Sequence, residues 1–172
     1  MVAAQPLTQD SYRAYGDVVS ARDDINPVNA NMGTAKRFNR TTTVANLRPQ
    51  SATPNICVFQ CQPQIAPGDT AFAVKILERH AHSTQAFFPM RGAERYLVVV
   101  CLGGDQPDLA TLRAFVANNA QGITYKPGVW HHPLIAMEHA TDFACVVWED
   151  GTAGDCDVVQ LPTPSVITIP PS

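Results

Sequence analysis

Short apolar runs, each bounded by a turn signal, recur along this chain at residues 56–59, 72–77, 94–102, 122–125, 143–148 and 157–161. Several are β-branched, as in YLVVV and ACVVW, and Pro63, Pro67, Gly68, Gly103, Gly104, Pro127 and Gly128 punctuate them. Many short β-rich runs separated by Gly and Pro predict a mainly β fold: a barrel or double antiparallel sheet with a few short helices. Two stretches read as helix instead. Residues 8–15 place Thr8, Gln9, Asp10 and Ser11 ahead of the aromatic Tyr12 and Tyr15, a capped start. Residues 108–118, DLATLRAFVAN, put Leu109, Leu112, Phe115 and Val116 on one helical face with Asp108 as N-cap. Residues 1–162 read as a single domain. Residues 163–172, with Pro164, Pro170 and Pro171, read as a proline-rich tail draped on the surface or leaving the body.

Composition narrows the class. At 172 residues, 45% hydrophobic and 16% charged, the chain can close one sizeable core and is not of disordered type. A net charge of −3 provides no electrostatic footprint for nucleic acid or an anionic membrane. The longest apolar run, 96–102, is far too short to span a bilayer, and the N-terminus shows no secretory signal. Cys57, Cys61, Cys101, Cys145 and Cys156 are odd in number and form no CxxC pair. They read as reduced thiols of a cytoplasmic protein rather than as a disulfide framework.

The chemistry concentrates in two segments. ERHAHSTQAFFPM, residues 78–90, crowds Glu78, Arg79, His80, His82 and Gln85 against an apolar run. GITYKPGVWHHP, residues 122–133, is a strand, a Pro-Gly turn, then Trp130, His131 and His132. Together they have the layout of the two cupin motifs: an H-x-H strand with an acidic or amide residue shortly after, then P-G-x-x-H. His80, His82, Gln85 and His131 take the four places. Alternation along a strand would put His80 and His82 on one face. Three imidazoles and an amide oxygen suit Ni, Zn or Fe(II). The competing reading is metal-free, with His80 a hydrogen-bonded imidazole and His82 at the rim. Alternation alone does not decide which of His131 and His132 points inward, since a bulge after the turn reverses the phase. His139 stands alone and reads as a surface histidine.

ERHxxxTQAFxPM, then YLVVV, PDLxTLRAF, GVWHHPL and TDF, in this order, resemble the ureidoglycolate lyase family, formerly described as hydrolases. The likeness begins at LTQDSYRAYGDV, takes in Asn31, Gly33, Arg37 and Phe38, and runs to Cys156, Asp157 and Val158. It implies a cupin-like β-barrel and a carbon–nitrogen lyase of allantoin and purine breakdown, splitting ureidoglycolate into glyoxylate and urea. There are two departures. Glu149, Asp150 and Gly151 replace a Gly-rich turn of many relatives, and the family accepts other residues at the place of His82. The second point favours a site that requires no cofactor over one that holds a divalent metal.

Ureidoglycolate is a carbinolamide, so its cleavage needs a base for the hydroxyl proton, an acid for the leaving nitrogen and a cation or N–H array for the carboxylate. The resemblance and this chemistry point to His80 and His131 as proton carriers, or as metal ligands, with His132 kept beside them. Gln85 would orient the ureido group. Arg37, Lys75, Lys126 and backbone N–H groups near Asn31 and Gly33 are the carboxylate candidates, with Trp130 and Phe87 as walls. Glu78 and Arg79 read as setting strand geometry. The alternative is a metal-dependent cupin isomerase, epimerase or oxygenase acting on another small hydroxy acid. A non-enzymatic binding barrel has no need of crowded titratable imidazoles. A homodimer is the expected assembly.

Overall fold

The computed structural model describes residues 1–171. Fifteen strands follow in order: β1 Val2–Pro6, β2 Val18–Val19, β3 Val28–Ala30, β4 Ala35–Arg37, β5 Thr53–Cys61, β6 Pro63–Ile65, β7 Ala71–Arg79 and β8 Gln85–Pro89. They continue as β9 Arg95–Cys101, β10 Arg113–Asn118, β11 Gly122–Tyr125, β12 Trp130–His131, β13 Ile135–Met137, β14 Thr141–Glu149 and β15 Asp157–Thr168. One short helix, α1 Gln9–Tyr12, and three single 3₁₀ turns complete the set. The mainly β architecture is the one the alternation of apolar runs and turns predicts, and every run named above maps to a strand, the 94–102 run overrunning β9 by one residue at each end.

The eight-stranded sheet has the order β10-β1-β15-β7-β12-β9-β13-β6, and β10 also pairs with β9. That last pairing closes β10, β1, β15, β7, β12 and β9 into a ring. Ala4, Val74, Leu77, Leu97, Val99, Ala114, Trp130 and Ile167, from all six of these strands, pack together as one core. Against the ring's outer face lies a five-stranded sheet, β2-β11-β8-β14-β5. A second core fills the layer between them: Tyr96, Val98, Val100 and Phe115 from the ring, and Phe87, Ile123, Tyr125, Phe143 and Val147 from the facing sheet. Strand β9 therefore buries both faces, and this accounts for its unbroken apolar run.

Two helical expectations fare differently. Thr8 caps α1 as expected, its Oγ1 accepting from the Ser11 N–H at 3.2 Å, but the helix stops at Tyr12. Over 108–118 the helix is not formed. Asp108 caps only a 3₁₀ turn, Leu109–Thr111, and Arg113–Asn118 is strand β10. Pairing with β9 and β1 buries Ala114 on one face and Phe115 on the other, which outweighs a weak helical period. The tail is corrected too. β15 continues to Thr168, with Ser165, Val166, Ile167 and Thr168 paired to β7 and Ile167 fully buried. Pro162 and Pro164 sit in the register shift between Gln160 and Ser165, where no ladder N–H is needed. Ser172 lies outside the described residues.

Candidate active site

The pocket opens at one end of the layer between the two sheets. Glu78 is the next-to-last residue of β7, and His80 follows the strand immediately. Because alternate residues share a face, Glu78 and His80 point into the layer, whereas Arg79 points to the ring side, its guanidinium 4.8 Å over the Trp130 ring. β12 pairs His131 with Glu78, and the turn that precedes it is tied down by the Gly128 N–H donating to the His80 carbonyl at 2.9 Å. From the facing sheet comes Gln85, the first residue of β8. The cavity of about 180 Å³ is lined by Glu78, His80 and Gln85 with Cys57, Phe59, Cys145, Val147, Glu149 and Cys156. A larger groove of about 640 Å³, with Arg95 and Glu138 among its lining, contains no imidazole and no thiol.

Hydrogen bonds fix both imidazoles. His80 Nδ1 donates to the Asp155 carbonyl at 2.8 Å and His131 Nδ1 to the Val129 carbonyl at 3.0 Å. Each Nε2 is thereby left with its lone pair towards the pocket. His131 Nε2 lies 3.1 Å from Gln85 Oε1 and 3.4 Å from Glu78 Oε1. A lone pair facing two acceptor oxygens calls for a proton or a cation between them. Ligand atoms of Glu78, His80 and His131 all lie within 4.8 Å of one another. With Gln85 as a further oxygen donor, these residues fit a borderline divalent cation such as Ni, Zn or Fe(II).

The electrostatics follow from burial. Desolvation, with the nearby His131, holds the His80 pKa below its ordinary value despite the opposing pull of Glu78. Burial alone would raise Glu78, but its hydrogen bond to His131 and the attraction of His131, His80 and His132 hold it below the usual range. Burial pushes the Cys156 thiol up to about 11 and Cys145 higher still, so neither is a thiolate near neutral pH. The Tyr125 ring stacks flat on His131, centroids 3.8 Å apart, and restricts its tilt.

The sequence-predicted residues divide sharply. His80 and Gln85 line the pocket, and His131 meets both from directly behind it. His82 does not: the chain turns after His80, and His82 is exposed. The pair with the H-x-H spacing is Glu78 and His80, one repeat earlier. His132 turns away, its Nδ1 donating to the Pro133 carbonyl and its ring packed edge-on against Phe72. Trp130 belongs to the ring core, with Nε1 donating to Gly104, so it is no wall of the site. Phe87 lies one layer behind, edge-on to Phe59. Lys75 and Lys126 are exposed and outside the pocket. Asn31, Gly33 and Arg37 sit on a projecting arm, β3 and β4 forming a two-stranded sheet of their own. Glu78, underrated from sequence, was signalled by its place two residues before His80. Cys57, Phe59, Cys145, Glu149 and Cys156 gave no such signal.

The ureidoglycolate lyase family profile matches residues 1–168. The chain belongs to this family. The ureidoglycolate lyase of Salmonella paratyphi B is 40% identical over 158 residues, 92% of each chain. That of Escherichia coli K12 is 40% identical over 157 residues, 91% of this chain and 92% of its own. Among solved structures, a dTDP sugar isomerase of Desulfovibrio desulfuricans G20 has 13% identity and a TM-score of 0.44, covering 86% of this chain and 84% of its own. A dTDP-4-dehydrorhamnose 3,5-epimerase of Elizabethkingia anophelis has 10% identity and a TM-score of 0.43, covering 84% and 80%. Among the described residues no helix is long and apolar enough to cross a membrane. The Glu149–Asp150–Gly151 turn has a structural role in this chain. Arg48 binds Asp150 and Asp155, and the Gly151 N–H donates to Asp155, which fixes the carbonyl that orients His80.

Proposed function

We propose that this chain cleaves ureidoglycolate to glyoxylate and urea. The observation that carries the reading is the convergence of Glu78, His80 and Gln85 on a cavity of about 180 Å³, sized for a small acid, with His131 buried directly behind Glu78 and Gln85, in a member of this family. His80 Nε2, kept neutral by burial, takes the proton of the carbinol hydroxyl. The oxygen's electron pair forms the aldehyde C=O as the C–N bond breaks, and that bond's electrons leave with nitrogen. His131, held between Val129 and Glu78, delivers a proton to the departing nitrogen. No water is consumed, and the proton count balances. Gln85 orients the ureido group through its amide. A divalent cation held by Glu78, His80 and His131 would polarise the hydroxyl and lower its pKa.

The test is a single assay of purified protein on racemic ureidoglycolate, following urea, glyoxylate and ammonia together. One urea per glyoxylate without ammonia is expected. Stoichiometric ammonia would mean hydrolysis at the ureido carbonyl, and no reaction would move the assignment to an isomerase or epimerase of another hydroxy acid. Placement in allantoin breakdown, a homodimeric state and a cytoplasmic location belong to the same proposal. Five free cysteines are in keeping with a reducing compartment.

A further inference from the structure

The pocket lacks a positive charge. Its lining contains two carboxylates, Glu78 and Glu149, and no lysine or arginine. Of the twelve Lys and Arg side chains, those outside the arm are bonded elsewhere, except Lys75 on the exposed face of β7. On the arm, Arg37 and Arg40 have no hydrogen bond or ion pair among the described residues. The arm runs from β2 back to Ala45, whose backbone joins Thr84 beside the pocket-lining Gln85, so its root lies at the pocket's end of the molecule.

The arm also has an apolar face with nothing on it. Cross-strand partners share a face, so Val28 and Arg37, and Ala30 and Ala35, lie together on one side of the hairpin. Asn29 and Lys36 take the other side and bond each other at 2.6 Å. At the tip, Asn31, Met32 and Gly33 all have positive φ, and Met32 is wholly exposed. Strand β5 offers a matching strip. β5 is an edge strand of nine residues, paired on one side with β14 and open on the other, with Ile56 75% and Val58 59% exposed while Cys57 and Phe59 line the pocket. A long exposed apolar edge is the kind of strand that proteins cover.

We propose that the occupant of this strip is the arm of a second copy of the chain. Val28 and Met32 cover Ile56 and Val58, and Arg37 enters the partner's acidic mouth to hold the substrate carboxylate. The exchange is reciprocal, as a two-fold dimer requires. The argument from the arm's face, the β5 edge and the charge of the mouth stands by itself. Only the carboxylate role rests on the ureidoglycolate reading.

The experiment mixes two defective copies. Arg37→Ala, a surface change, is expected to lower kcat/KM roughly tenfold to a hundredfold, the loss of one charge-assisted contact. His80→Asn disables the pocket. Unfolded together and co-refolded at equal amounts, half the dimers are mixed, and each mixed dimer has one site with Arg37 from one copy and His80 from the other. Activity should return to about a quarter of wild type. Failure to recover above the two parents, with both variants folded and dimeric, overturns the proposal, as does full activity in Arg37→Ala. Sedimentation supplies the second readout. Wild type is expected to be a dimer, and Val58→Lys a folded monomer of low activity; a monomeric wild type or a dimeric Val58→Lys overturns it. If wild type dimerises through β5 but does not cleave ureidoglycolate, the substrate reading falls and the docking stands.

Discussion

Glu78 is where hydrogen bonding and charge meet most tightly: a carboxylate beside His131, with His80 and His132 within electrostatic reach. Removing its charge while keeping its shape, as in Glu78→Gln, takes away the negative charge beside His131 and leaves only neutral amide oxygens facing its Nε2. Turnover should fall about a hundredfold with KM little changed, checked by steady-state kinetics. His80→Asn and His131→Asn remove the titrating nitrogens themselves and should each lose roughly a hundredfold to ten-thousandfold in kcat. His132→Asn, outside the pocket, should retain near-normal turnover, and a large loss there would contradict the assignment. The same histidines set a pH dependence of stability. Burial holds His80 and His132 below their ordinary pKa, so between the folded and unfolded values the unfolded chain binds more protons. Stability is therefore undiminished above about pH 6.5 and lost as pH falls below it. Urea unfolding at pH 7.5 and 5.5 should show this, with a smaller difference in His132→Asn.

At the level of elements, two joints hold the layers in place. Gly16 follows α1 where the chain meets β11, and a Cβ there would sit 1.7 Å from the Thr124 carbonyl oxygen. Gly16→Ala must push backbone from backbone and should cost about 1–3 kcal/mol or more, read from the urea midpoint. The other joint is the far half of β15, which looks like a proline-rich tail until its partners are seen. Ile167 is fully buried in the ring core. Ile167→Ala should cost about 2–5 kcal/mol, or roughly 4–20 °C of Tm for a chain of this size. A tail lying free on the surface would show neither effect.

For the whole molecule, the closed ring and the facing sheet make a stiff frame with one small acidic pocket at its end. If a divalent cation is part of the working site, exhaustive chelation should abolish turnover and re-addition restore it, with metal content near one per chain before treatment. Full activity after chelation would leave His80 and His131 as the acid and base. Much of this frame was written locally. Strand positions, the capped start at Thr8, the family and the convergence of His80, Gln85 and His131 follow from alternation, turn residues and contiguous motifs, each a property of neighbouring residues. Other features depend on what a segment packs against. Residues 108–118 have a helical period, but β9 and β1 bury both faces of an extended strand there. His82 has the spacing of a ligand, but the backbone turns just after His80. Lys75, Lys126 and Trp130 have plausible chemistry on the wrong face. Cys57, Cys145, Glu149 and Cys156 reach the pocket only because β5, β14 and the turn before β15 are folded against β7. Period and spacing are local and survive in a string of letters; which face is buried, and against which charge, is decided by contacts between residues far apart in it.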